Sequence, residues 1–173
     1  NGNRSYTDNY QLDFSVDPIE RFNITATFRY TNAKIELAGK GLVEKPMTSR
    51  FKGVLNLQYA TNLNKWIFDF TASLNGSCRV YDFMESLTDK DGNLLYKNGR
   101  TPVYPLLYAQ VTRRFKGWDV YLGAENLTNF RQQNAIIGAS NPRQPSFDAS
   151  CIWGPLMGIK AHIGFRFTLW KTN

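Results

Sequence analysis

The chain has 173 residues and carries 21 Lys and Arg against 14 Asp and Glu, which gives a formal net charge of +7. Its aromatic content of 14% excludes a disordered chain, because disordered segments lack the large apolar side chains that build a core. No apolar run approaches the roughly 20 residues of a membrane-spanning helix, two Cys are too few for a disulfide-framework miniprotein, and the basic residues are too scattered to indicate a nucleic-acid partner.

Alternation of apolar and polar residues with period two predicts seven β-strands and no helix. In the second strand, apolar residues from Phe22 to Tyr30 alternate with Asn, Thr and Arg. Because successive side chains of a strand point to opposite faces, each strand has one apolar and one polar face. In chain order, the predicted strands cover 10–16, 22–31, 51–59, 66–75, 106–115, 118–125 and 162–169.

Connections of two sizes alternate along the chain. In an up-and-down meander, successive connections lie at opposite ends of the sheet, so the short turns share one end and the long loops share the other. Short periplasmic turns and long extracellular loops are typical of bacterial outer-membrane barrels. The predicted short turns are 17–20, 62–65 and 116–117, and the long loops are about 35–49, 76–104 and 127–158.

Aromatic residues lie at the ends of the apolar faces rather than in their middle. Tyr59, Trp66, Phe115 and Trp118 flank short turns, as expected of rings at a membrane interface. A soluble β-sandwich or a lipocalin-like barrel would show the same alternation with its apolar face inward. We favour the membrane barrel, because a sandwich does not explain the asymmetry of the loops.

Two C-terminal motifs carry a family resemblance. The sequence HIGFRFTLW at 162–170 resembles the sorting signal of outer-membrane barrels, with Gly164, Phe165, Phe167, Leu169 and Trp170 as its main residues. Upstream, GAENLTNF at 123–130 follows a strand and precedes a long loop and a final strand. This arrangement resembles the C-terminus of TonB-dependent outer-membrane receptors, and the segment 147–158 is similar to the last loop of such receptors from Bacteroidetes-type bacteria.

The resemblance implies an all-β, antiparallel up-and-down transmembrane barrel of 22 strands. Residues 1–173 would supply about its last seven strands, and the plug domain and earlier strands would lie outside this chain. Seven strands cannot close a bacterial barrel, and open edges are not tolerated in lipid. A start at Asn1, without an initiating Met, is expected of such a fragment.

The resemblance also implies a function in the outer membrane of a Gram-negative bacterium. It implies energised uptake of a scarce nutrient such as a siderophore, haem, cobalamin, a glycan or a peptide. The expected partners are the rest of the receptor, TonB, outer-membrane lipid and a surface-exposed lipoprotein. We expect no enzymatic activity, no cofactor and no metal site.

Two groups of side chains are candidates for function within this interpretation. Aromatic residues on the long loops are the candidates for ligand contact, namely Tyr81, Phe83, Tyr96, Phe130, Phe147 and Trp153. Titratable residues on the polar faces are expected to line the lumen. These are Arg29, Lys52, Asp69, Arg114, Glu125, His162 and Arg166. In the lumen, Arg29, Lys52 or Arg166 either contacts an anionic ligand or pairs with Asp69, Glu125 or plug residues.

A second class of protein remains open from the residues alone. A small eight-stranded outer-membrane barrel or a soluble lipocalin-like carrier would need one more strand, for which 93–97 is the candidate. Whether Cys78 and Cys151 pair also remains open, because sequence separation does not fix disulfide geometry.

Overall fold

The computed structural model describes residues 4–89, 91–139, 141–145 and 147–169, and it confirms an all-β antiparallel fold. Single 3₁₀ turns occur at Asn62–Asn64, Asp82–Met84 and Lys97–Gly99. Within the described ranges, no helix has the length and apolar character needed to cross a membrane. The strands are β1 Ser5–Ile19, β2 Phe22–Leu37, β3 Gly41–Glu44, β4 Phe51–Ala60, β5 Trp66–Asn75, β6 Tyr104–Phe115, β7 Trp118–Glu125 and β8 Lys160–Phe167.

These strands form one sheet in which chain neighbours are also sheet neighbours. Its order is β1-β2-β4-β5-β6-β7-β8, and β3 pairs only with the far end of β2. The short connections therefore lie at one end of the sheet and the long ones at the other. Over the described residues, no ladder joins β1 to β8, so the sheet is open at both edges.

The structure corrects three details of the predicted elements. The first turn does not lie at 17–20: β1 continues through Pro18, which an edge strand tolerates, and the chain reverses at Glu20 and Arg21, where Arg21 has a φ of 68°. A short hairpin strand, β3, lies inside the first predicted loop. The proposed extra strand at 93–97 is wrong, because that segment contributes only an isolated bridge between Thr88 and Leu94.

The register of the sheet brings the apolar faces of all seven principal strands together. One row of directly opposed residues crosses the whole sheet and is apolar throughout, whereas the adjacent row is mostly polar. The apolar row is Val16, Ile24, Leu57, Phe70, Ala109, Ala124 and Ala161. The adjacent row is Asn23, Gln58, Asp69, Gln110, Gly123 and His162.

This apolar face is not a buried core. Phe14, Phe28 and Phe68 remain 57%, 50% and 43% exposed, and Ile163 is 77% exposed. No described segment packs over them, so the apolar face is open to the surroundings of the chain.

The buried core lies in the long loops instead. Val80, Met84, Tyr96 and Cys151 are exposed by 3% or less and pack together. Met47, Leu87, Leu95, Ile137 and Trp153 pack against them, so all three long connections contribute. The described residues of 38–50, 76–103 and 126–159 are termed the loop cluster below.

Within the C-terminal motif, Gly164, Phe165 and Phe167 belong to β8, and Leu169 follows it. Trp170 lies outside the described residues. Tyr121 explains the glycine in this motif: an added Cβ at Gly164 would lie 2.0 Å from the Tyr121 ring. The ring therefore needs a glycine opposite it.

Candidate functional site

A network of charged side chains ties the loop cluster together. Glu44 of β3 accepts two hydrogen bonds from Arg100, of 2.7 and 3.0 Å, and one of 2.6 Å from Arg50. Burial acts to raise the pKa of Glu44, but the hydrogen bonds and charges of Arg100 and Arg50 outweigh burial and hold the pKa below its usual range. The hairpin that carries Glu44 is thus fixed against the 76–103 loop.

The last loop is held at its entrance by Asn126, which belongs to the GAENLTNF motif. Asn126 is buried and adopts a left-handed backbone conformation with a φ of 53°. Its side-chain amide donates to the carbonyls of Phe130, at 2.8 Å, and Met157, at 2.9 Å. Asparagine suits this position because it tolerates a positive φ and its amide satisfies backbone groups on both sides of the loop.

Gln132, which the sequence did not single out, positions Trp153. Its buried side-chain oxygen accepts hydrogen bonds from the backbone N–H groups of Trp153, at 2.8 Å, and Gly154, at 3.0 Å. Its amide nitrogen donates to the Cys151 carbonyl at 2.9 Å. One amide side chain thereby fixes the backbone on which the Trp153 ring is mounted.

Trp153 lies in a group of aromatic side chains. The rings of Tyr104 and Phe130 stack with centroids 4.5 Å apart, and the Trp153 centroid lies 5.6 Å from Tyr104 and 6.0 Å from Phe130. The indole N–H donates to the Tyr96 hydroxyl at 3.2 Å. The indole is therefore held by tilted ring contacts and a hydrogen bond, which makes it a rigid contact surface.

Two cavities meet at Trp153. The larger, of about 290 Å³, lies where the polar face of the sheet meets the loop cluster, and its wall includes Arg29, Lys52, Tyr104 and Trp153. The smaller, of about 150 Å³, is lined by Tyr96, Phe130 and Trp153, with Leu95, Pro102, Arg131 and Gln133. The larger cavity offers charge and rings together, and the smaller offers mainly apolar surface.

Arg29 and Lys52 are direct cross-strand partners in the wall of the larger cavity. Neither forms an ion pair with another residue of the described ranges. Asp13, a carboxylate on the same face, accepts hydrogen bonds from Thr27 and Gln11 instead. The two cations are thus available to a group from outside the described part of the chain.

The structure brings together three of the six predicted ligand-contact residues, Tyr96, Phe130 and Trp153. Tyr96 is nearly buried, so it supports the site more than it offers contact area. Tyr81 and Phe83 stack on each other with centroids 5.7 Å apart and line neither cavity at Trp153. Phe147, 38% exposed, also lies outside both.

The other predicted lumen residues share the polar face of the sheet. Asp69 accepts a 2.7 Å hydrogen bond from Gln58, and Glu125 pairs with Lys160 at 2.9 Å. His162 lies over Gly123, 3.4 Å from Gln110, and with Asp69 and Glu125 it lines a depression of about 390 Å³. Arg114 and Arg166 both lie opposite Asp119 in the register.

The arrangement is suited to binding. No set of three residues in the described part of the chain is placed to hold a metal ion. Both cysteines are buried free thiols, and burial raises the pKa of each.

Neither a protein-family model, nor a curated protein, nor a solved structure matches the chain.

Proposed function

We propose that this chain forms the last seven membrane strands and three extracellular loops of a TonB-dependent outer-membrane receptor. The single observation that carries the proposal is the continuous apolar face, which crosses seven strands in register and stays exposed. Soluble monomers rarely expose contiguous apolar patches larger than a few hundred Å². A lipid bilayer supplies the apolar surroundings that this face requires.

The opposite face supports a watery lumen. Its polar side chains are hydrogen-bonded across strands, for example Thr27 to Asp13 at 2.7 Å and Asn56 to Thr71 at 2.8 Å. Such pairs suit a surface that contacts water and a folded plug. The bacterial outer membrane is the location that this combination of faces supports.

The open edges support a shared barrel rather than a self-closed one. β1 and β8 each carry unpaired backbone groups along one side, and lipid-exposed edges of this kind are costly. Earlier strands of the same receptor would pair with both edges to complete 22 strands. The plug, and TonB through the missing N-terminal part, would complete the transport machinery, and a surface-exposed lipoprotein could cover the loops.

Labels at adjacent positions test the membrane assignment. The full receptor is prepared with Cys78, Cys151 and any cysteine outside this chain replaced by Ala, and a spin label is attached to Phe68→Cys or to Asp69→Cys. We expect the label at 68 to collide with oxygen dissolved in lipid and the label at 69 to collide with a water-soluble nickel chelate. Equal access of the chelate to both positions would contradict a lipid-facing sheet.

Growth tests address uptake. A strain lacking the complete receptor gene should fail on one scarce nutrient source at limiting concentration and recover when that nutrient is in excess. In the complemented strain, Trp153→Ala should reduce growth on that nutrient, because Trp153 lines both loop cavities. Phe147→Ala, on the same loop but outside these cavities, is the matched control, and protein levels in the membrane must be equal. Normal growth of the deletion strain on every source would reject the uptake role.

A further inference from the structure

Arg113 is a cation on the apolar face of the sheet, close to the short turns. The register places it opposite Trp66 on β5 and opposite Val120 on β7. Its strand neighbour Arg114 points to the other face, opposite Asp119. A charged side chain on the apolar face requires a polar partner, because an unpaired charge in apolar surroundings is costly.

Aromatic rings hold the Arg113 guanidinium in place. Its central carbon lies 4.7 Å from the Trp66 ring centroid and 5.3 Å from that of Phe115. Phe115 in turn stacks on Trp118 at 3.9 Å, and Trp118 lies 5.6 Å from Phe165. Cation–π contact of this kind orients the guanidinium, but it leaves the N–H donors without acceptors.

The chain provides these donors with no acceptor in its described part. Arg113 takes part in no ion pair with a described residue. Asp119 lies on the opposite face, and Glu20, in the first short turn, pairs with Arg21 at 3.0 Å. An anion that reaches Arg113 must therefore come from outside the described chain.

Two lysines add to the positive charge around Arg113. Lys65 precedes Trp66, and its carbonyl accepts a 2.8 Å hydrogen bond from the Arg114 N–H, which fixes its turn beside β6. Lys116 lies in the turn that joins β6 to β7. Both lysines sit where the apolar face ends, so a cationic rim borders the aromatic group.

We propose that Arg113, with Lys65 and Lys116, binds the phosphate of an anionic phospholipid in the leaflet on the short-turn side. This inference rests on the proposed membrane location. Arginine matches phosphate oxygens with two parallel hydrogen bonds, and aromatic rings favour the depth of the headgroups. The acyl chains of the same lipid would lie along Val111 and Val120 on the apolar face. One lipid molecule would therefore contact both the Arg113 guanidinium and the aromatic rings.

The test compares two neighbouring arginines in the full receptor. Arg113→Gln and Arg114→Gln each remove one positive charge, but only the first lies on the apolar face. Retention of phosphatidylglycerol is measured by native mass spectrometry after extraction from nanodiscs that contain phosphatidylglycerol and phosphatidylcholine. We expect Arg113→Gln to weaken retention about tenfold, as for loss of a hydrogen bond to a charged group, and Arg114→Gln to leave it unchanged.

Further variants and a competition with inorganic phosphate distinguish a lipid site from the alternatives. If Arg113→Gln fails to assemble, the Lys65→Gln, Lys116→Gln double variant replaces it, since both lysines lie in turns, and its retention should also fall. Unchanged retention in these variants, or an equal fall in Arg114→Gln, would overturn the inference. Displacement of the lipid by millimolar inorganic phosphate would overturn it as well, because the site would then take any free phosphate. The labels at 68 and 69 report separately on the membrane assignment.

Discussion

The sheet and the loop cluster differ in the solvent exposure of their apolar side chains. The sheet leaves large residues such as Phe28 and Ile163 half exposed or more, whereas the loop cluster buries Val80, Met84 and Cys151 to 1% exposure or less. A region that must be stable in water builds its own core. Under the proposed membrane location, this contrast would reflect two solvents acting on one chain: water around the loops, and lipid against one face of the strands.

The largest expected effect is that of a charge on the apolar face. Phe28→Arg should abolish assembly in the outer membrane, because Arg on the lipid face at mid-bilayer costs about 2–4 kcal/mol. Thr27→Arg, one residue away on the polar face, should be much milder. Folded protein in the membrane fraction is the measurement for both variants. Equal loss in the two would remove the distinction between the faces.

A cavity in the loop core should have a smaller and more local effect. Met84→Ala should destabilise the loop cluster by about 2 kcal/mol, at the lower end for a buried methionine because loops can relax into the space. Amides of 76–103 should lose hydrogen-exchange protection, while those of the strands keep it. Met157→Ala is the matched control, since Met157 is 67% exposed. Loss of protection in the sheet as well would show that the two regions are not independent.

Removal of the charge on Glu44 should weaken the loop cluster by about 1–2 kcal/mol, since it removes charged hydrogen bonds to Arg50 and Arg100. Glu44→Gln keeps the shape of the side chain and should raise the rate of proteolysis within 76–103. Glu85→Gln removes an exposed carboxylate from the same loop and should have little effect. If the two variants were cleaved at the same rate, the Glu44 network would not stabilise the loops.

The smallest effect is a pH dependence from the same carboxylate. The pKa of Glu44 is held below its ordinary value of 4.5, so its contribution to stability is full above about that pH. It should be lost as the pH falls through the lower pKa of the folded state. The difference in proteolysis between the wild type and Glu44→Gln should therefore be constant from pH 7 to pH 5 and shrink below pH 4.5. A difference in proteolysis that grew as the pH fell would contradict a stabilising Glu44 carboxylate.

Much of the sheet was predictable because alternation over eight or more residues is a strong signal when one face is apolar. All seven predicted strands are present. The turn at Pro18 was misplaced because proline favours turns, and only its place on an edge strand, which is a tertiary property, allows β1 to continue. β3 was missed because a four-residue strand is too short for periodicity, although the AGKG sequence at 38–41 is a hairpin signal.

The candidate site was predictable only by residue type. Loop aromatics were singled out, but nothing local indicates that Phe130 and Trp153 meet whereas Phe147 does not. Gln132 and Asn126 escaped notice as positioning residues, since an amide that bonds distant backbone groups leaves no periodic pattern. The pairing of Arg29 with Lys52 depends on the register of β2 and β4. Alternation of apolar and polar residues cannot distinguish registers that differ by two residues, so it does not predict this pairing.

The two buried thiols have a practical consequence. Cys78 and Cys151 are buried free thiols of the loop cluster. If the proposed topology holds, a membrane-impermeant maleimide added to living cells at a concentration that outpaces reclosing would react with them at the rate at which the cluster opens. Comparing that rate with and without a nutrient in the medium would turn the native cysteines into a gauge of gating at the cell surface, with no engineered label.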